Sequence, residues 1–109
     1  MLFRSVANWH DVAAESDAFE GAGFAVLAGG REVAVFLVDG VFYALDNQCS
    51  HGDARLCEGF IEGHEVECPF HQGRFDLKTG QATCEPAVDP IKSWPVKIEG
   101  GRVWVDLEA

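Results

Sequence analysis

The sequence predicts an all-β protein, an antiparallel β-sandwich or barrel-like scaffold carrying a smaller inserted lobe. Two observations carry the scaffold. Runs of β-branched and aromatic residues with period-two alternation recur at strand length, and glycine-containing dipeptides separate them as two-residue turns. The inserted lobe follows from a third. Between the strand-rich halves, residues 48–84 are dense in Gly, Pro and charge and hold paired cysteines and histidines.

Strands are expected at residues 3–6, 23–27, 32–38, 41–45, 65–68, 74–76, 91–98 and 102–107. Asp39-Gly40 and Gly100-Gly101 read as hairpin turns joining consecutive strands. Helix is expected only near the amino terminus, where Asn8 can cap residues 9–15 and Trp9, Val12 and Ala13 fall at helical spacing. With 109 residues the chain makes one domain, 1–109, in which about 48–84 form the inserted lobe and the remainder the basal β scaffold.

Composition narrows the partners. A 48% hydrophobic content with three Trp and eight Phe is enough for a core. The net charge of −10 argues against nucleic acid and against an anionic membrane surface, since both select a basic footprint. A basic protein partner fits better. No stretch approaches the ~20 apolar residues of a membrane helix, and no secretory signal pattern is present, so a cytoplasmic protein without a membrane anchor is expected.

The chemistry is concentrated in two knuckles. Cys49-Ser50-His51 is followed, after the sixteen residues 52–67, by Cys68-Pro69-Phe70-His71. Each knuckle offers one thiolate and one imidazole, and four such ligands in two tight pairs make a metal site. Cys57 and Cys84 lie outside the knuckles and read as free, reduced thiols, with a contact between them as the alternative. His10 and His64 also lie outside, His64 as an exposed hairpin residue.

This pattern resembles the Rieske family, whose [2Fe–2S] centre replaces two cysteines by two histidines on one iron. The flanks of the knuckles, residues 47–54 and 68–76, are similar to the two loops of the small ferredoxins that feed bacterial aromatic-ring dioxygenases. Thr79-Gly80, Pro86, Pro90-Ile91-Lys92 and residues 94–99 extend the likeness, which covers roughly residues 40–107. The resemblance implies a Rieske-like antiparallel β-sandwich or barrel with a cluster-binding lobe. It also implies that Cys49 and Cys68 bind one iron and His51 and His71 the other.

Exchanging two thiolates for neutral imidazoles makes such a centre less negative and lifts its potential into a window of roughly −150 to +300 mV, against about −400 mV for plant-type ferredoxins. High-potential Rieske proteins add a cysteine to each loop and a Gly-Ser pair after the second histidine. Here the matching positions hold Ala54, Phe70 and Gln72-Gly73, so the interloop disulfide and the serine donor are both missing. Fewer donors to the sulfurs imply the low end of the window. Gly52 and Gly73 suit close backbone approach, and Pro69 biases Cys68 toward an extended conformation.

Other residues carry weaker expectations. Phe60, Phe70 and Phe75 are candidates to shield the site, with ordinary packing as the alternative for Phe60 and Phe75. Trp94 and Trp104 read as core of the terminal hairpin. Asp53, Glu58, Glu62, Glu65 and Glu67 are candidates for an acidic docking rim.

Three functions compete. The family resemblance implies a one-electron carrier passing electrons from a flavoprotein reductase to a terminal aromatic ring-hydroxylating oxygenase, a component rather than an enzyme in its own right. A structural Cys₂His₂ zinc module is the alternative, though one-residue Cys-x-His spacing is unusual for zinc; a Rieske carrier for another oxidoreductase system is a further one. A catalytic oxygenase would need a mononuclear iron held by two histidines and a carboxylate. No histidine follows His71 and 109 residues hold no second domain, so substrate oxidation is expected elsewhere.

Overall fold

Among the described residues eleven strands, paired as antiparallel neighbours, build three small sheets stacked about a doubly buried middle one. The computed structural model describes residues 8–48, 55–69, 73–84 and 89–107. In chain order the strands are β1 (Trp9–Ala14), β2 (Ala22–Ala28), β3 (Arg31–Val38), β4 (Val41–Asp46), β5 (Phe60–Glu62), β6 (Glu65–Glu67), β7 (Arg74–Asp76), β8 (Ala82–Cys84), β9 (Ser93–Trp94), β10 (Val96–Glu99) and β11 (Arg102–Asp106). Their orders are β1-β11-β10, β2-β3-β4-β9 and β5-β6-β7-β8. No helix among the described residues is long and apolar enough to cross a membrane.

β3 explains the layering. Its successive side chains point to opposite faces, and residues 33–36 are all fully buried. Val33 and Val35 join Ala13, Ala44, Trp94, Val103 and Val105 in one core. Ala34, Phe36 and Val38 join Leu45, Leu56, Val66, Cys68, Phe75 and Leu77 in the other. The continuous apolar run of this strand therefore reflects burial on both sides, and the second core ties the inserted lobe to the scaffold.

The expected hairpins are present. Asp39 and Gly40 both have positive φ, 53° and 76°, as a two-residue turn compatible with strand twist demands. Glu20 reinforces that turn, its carboxylate accepting from the amides of Asp39 and Gly40. Six of the expected strands are found within one residue of their expected ends. Residues 3–6 lie outside the described residues.

The structure departs from expectation at the amino terminus, over residues 91–98 and at two short strands of the lobe. Residues 9–14 form β1 rather than a helix, and only Glu15–Asp17 make a 3₁₀ turn. The ladder to β11 runs from Trp9↔Asp106 to Ala14↔Arg102 with a bulge between Asp11 and Ala13. The extra residue breaks the period-two pattern, which is why Trp9, Val12 and Ala13 imitate helical spacing. The single strand expected over 91–98 is two. β9 pairs with β4 and β10 with β11, because Pro95 between them has no N–H to continue a ladder and the chain changes sheets there. β5 and β8, three residues each, were not expected; they are the outer strands of the lobe sheet, each paired on one side only in the order β5-β6-β7-β8.

Candidate metal centre

The residues flanking each knuckle are hydrogen-bonded to one another. Residues 49–54 and 70–72, and with them Cys49, His51, His71, Gly52, Asp53, Ala54, Phe70 and Gln72, lie outside the described residues. The described stems define where the loops begin and end. Cys68 is the one expected ligand among them, and it is 1% exposed.

The first stem is closed by Asn47. Its side chain is fully buried, and a buried amide is costly unless its groups find partners. Nδ2 donates to Glu32 Oε1 at 2.7 Å, and Oδ1 accepts from the Cys57 amide at 2.8 Å. Its carbonyl accepts from Leu56 N–H at 2.6 Å, so both groups of Asn47 reach across the loop to the residues that follow it. Gln48 and Arg55 form an antiparallel bridge at the loop mouth. Arg55 Nη2 donates to Glu32 Oε2 at 3.0 Å, leaving one glutamate holding both sides of the opening.

The second knuckle is the tip of the β6–β7 hairpin. The Cys68 amide donates to the Gly73 carbonyl at 2.7 Å, closing the loop at its base. The rung below pairs Glu67 with Arg74. Arg74 Nη1 donates to Glu62 Oε1 at 2.8 Å and Nε to Glu67 Oε1 at 3.2 Å, while Glu65 Oε1 lies 3.8 Å from Nη1. Hydrogen bonding to Glu62, with the glutamate charges, pushes the guanidinium further above its ordinary range.

The two stems converge. Leu56, just past the first loop, and Cys68, at the start of the second, share one buried cluster with Phe36 and Phe75. Gly59 packs directly on the Glu67 carbonyl, where a Cβ would overlap the oxygen. A buried thiol beside the mouth of a six-residue loop that carries one cysteine and one histidine suits soft-metal ligation, so the donor set and the stem geometry fit an iron–sulfur group. Among the described residues no trio of His, Cys, Asp or Glu is arranged to hold a metal.

The remaining expectations divide. Cys57, Cys68 and Cys84 are free of disulfides; Cys57 is half-buried and Cys84 exposed. Burial pushes the Cys57 thiol pKa up, against an opposing contribution from Asn47. His64 is exposed in the β5–β6 turn, 3.6 Å from Asp39 and edge-on to Tyr43. His10 lines a cavity with Gly29, Gly30, Arg31 and Leu107. Trp94 is buried as expected, with Arg31 and Lys92 over its ring. Trp104 is not core: it alternates with the buried Val103 and Val105, faces outward, and donates Nε1–H to Glu99 O.

Phe75 packs in the core, whereas Phe60 is 65% exposed and is outside both buried clusters of the described residues. Glu58 is exposed, but Glu62, Glu65 and Glu67 surround Arg74 instead of forming a free rim. The clamp residues Glu32, Asn47, Arg55 and Arg74 were not legible as site residues. A polar Asn ending an apolar strand directly before a knuckle was the signal available for one of them.

Comparison with known proteins agrees with this architecture. Residues 8–95 match the model of the Rieske [2Fe–2S] domain. The ferredoxin component of a naphthalene 1,2-dioxygenase system from Pseudomonas aeruginosa is 52% identical over 100 residues, 92% of this chain and 96% of that protein. The ferredoxin of Sphingomonas yanoikuyae superimposes with a TM-score of 0.85 at 40% identity, covering 91% of this chain and 98% of that one. A chain from the complex of reduced oxygenase and oxidized ferredoxin in carbazole 1,9a-dioxygenase gives the same TM-score at 38% identity, covering 92% and 94%.

Proposed function

Since this chain belongs to the Rieske [2Fe–2S] family and carries that family's cluster, we propose that Cys49 and Cys68 hold one iron and His51 and His71 the other. The observation that carries this assignment is the convergence of the two loop stems, with Cys68 buried beside Leu56 and Gly59 seated on the Glu67 carbonyl. Two loops anchored that close together can grip one small group from both sides. The bound cluster supplies a one-electron couple; the chain's own residues orient the ligands and exclude water from the buried thiolate at Cys68.

The protein is an electron carrier, an electron-transfer component of a multicomponent oxygenase system. Relatives that it matches over nearly their whole length are ferredoxin components of dioxygenase systems, and one structural relative is solved with its oxygenase. Its own electrons pass to a terminal aromatic ring-hydroxylating oxygenase and come from a flavoprotein reductase, in the cytoplasm. Residues 1–109 act as one domain, with about 48–84 as the cluster-binding lobe.

Alanine variants of the four ligands test the assignment. Each should abolish the Rieske electron paramagnetic resonance signal, while Cys57→Ser and Cys84→Ser should leave it intact. A native signal in His51→Ala would refute the ligand set. Zinc without iron in the purified protein would favour a structural module instead. Reconstitution with purified reductase and oxygenase, following substrate oxidation, tests the place in the chain of electron transfer.

A further inference from the structure

Arg74 occupies the rung of the lobe sheet immediately below the second knuckle. Its partner across the hairpin is Glu67, which precedes Cys68, and the Cys68–Gly73 hydrogen bond lies directly above the pair. Glu62 from β5 and Glu65 and Glu67 from β6 converge on its guanidinium at 2.8, 3.8 and 3.2 Å. One cation among three carboxylates leaves a local charge of −2, where its removal would leave −3.

We propose that Arg74 is a positioning residue with two effects on the second knuckle: its guanidinium fork pins the hairpin stem, and its charge offsets three glutamates that oppose reduction. The inference rests on the assignment of Cys68 and His71 as ligands. Reduction adds one negative charge to the group held at this loop, and nearby carboxylates disfavour that added charge while a nearby cation favours it. The Arg74 side chain is 31% exposed, so part of its effect is screened by salt. The planar fork also bridges two strands in a way that an ammonium cannot reproduce, since Arg presents several donors in fixed geometry. Charge and geometry are thus separable by substitution.

The test uses the full cluster-bearing chain with Arg74→Gln, Arg74→Lys and Glu67→Gln. Protein-film voltammetry reads the midpoint potential, electron paramagnetic resonance reads the ligand set, and amide exchange reads the Cys68–Gly73 closure. Arg74→Gln should move the potential negative, Glu67→Gln should move it positive, and both shifts should shrink as salt is raised. Arg74→Lys should keep the potential near that of the parent, yet its Cys68 amide should exchange about fivefold faster, as expected for a modest loss of local stability.

A purely structural role would speed exchange in all three variants without opposite shifts in potential. That outcome, or unchanged potentials throughout, overturns the proposal. If Arg74→Gln fails to load a cluster, the positive shift in Glu67→Gln and the retained potential of Arg74→Lys decide the matter. A parent chain lacking a Rieske signal would instead refute the ligand assignment. In that case the exchange comparison still decides whether Arg74 pins the stem.

Discussion

Asn47 and Cys57 are joined across the first knuckle by a 2.8 Å hydrogen bond from the Cys57 amide to the Asn47 side-chain oxygen. The same asparagine donates to Glu32, which also accepts from Arg55, so the two ends of the loop share one buried anchor. Asn47→Ala leaves the Cys57 amide and a Glu32 oxygen without this partner. The Glu32 carboxylate is exposed and can turn to water, so the loss of about 1 kcal/mol or more that is expected comes chiefly from the part-buried Cys57 amide. Urea unfolding of the loaded protein checks it; a midpoint equal to that of the parent would contradict the anchor.

Gly59→Ala tests the contact between the stems. A methyl group there overlaps the Glu67 carbonyl, and backbone cannot yield as a side chain can. Overpacking of this kind costs about 1–3 kcal/mol. Faster loss of the cluster absorbance on warming should accompany the lower melting temperature, because the strain falls where the loops meet.

The potential should lie at or below about −100 mV, toward the negative end of the Rieske window. Ala54, Phe70 and Gln72-Gly73 provide neither an interloop disulfide nor a serine donor. The weak pull of such a cluster should leave imidazole deprotonation above neutrality, so voltammetry between pH 6 and 8 should give a nearly flat line. A value above about +100 mV, or a steep slope at pH 7, contradicts this.

The free cysteines should react in order of exposure. Cys84 is exposed, whereas burial raises the Cys57 pKa and keeps it in the unreactive thiol form. Iodoacetamide at mildly alkaline pH should label Cys84 first, as peptide mass spectrometry can resolve. A thiol whose folded pKa is raised keeps a proton that the unfolded chain releases. Cys57 therefore stabilises the fold less as pH rises through the ordinary thiol range, and Cys57→Ser should reduce that alkaline loss.

Transfer to partners should slow as ionic strength rises, because a net charge of −10 speeds encounter with a basic surface only while unscreened. Glu58 is the better probe of the expected rim, since Glu62, Glu65 and Glu67 contact Arg74 and reversing them also disturbs the loop stem. Stopped-flow rates with Glu58→Lys should fall at low salt and approach the parent's at high salt. Salt-independent rates would exclude electrostatic steering.

What the sequence by itself determined is local: the donor types and spacing of Cys49, His51, Cys68 and His71, the hairpin turn at Asp39-Gly40, and the long strand over 31–38, whose β-branched and aromatic run is bounded by turn residues. These depend on chemistry within a few neighbouring positions. Tertiary structure decided the rest. Trp9–Ala14 became a strand because β11 offers it a ladder, and Pro95 divided a strand because its two halves find different neighbours. Glu32, Asn47, Arg55 and Arg74 became clamps because residues up to twenty-three positions apart meet at the loop mouths. Sequence spacing does not say which of many polar residues will pair, and a polar residue reveals its burial only when the chain closes over it.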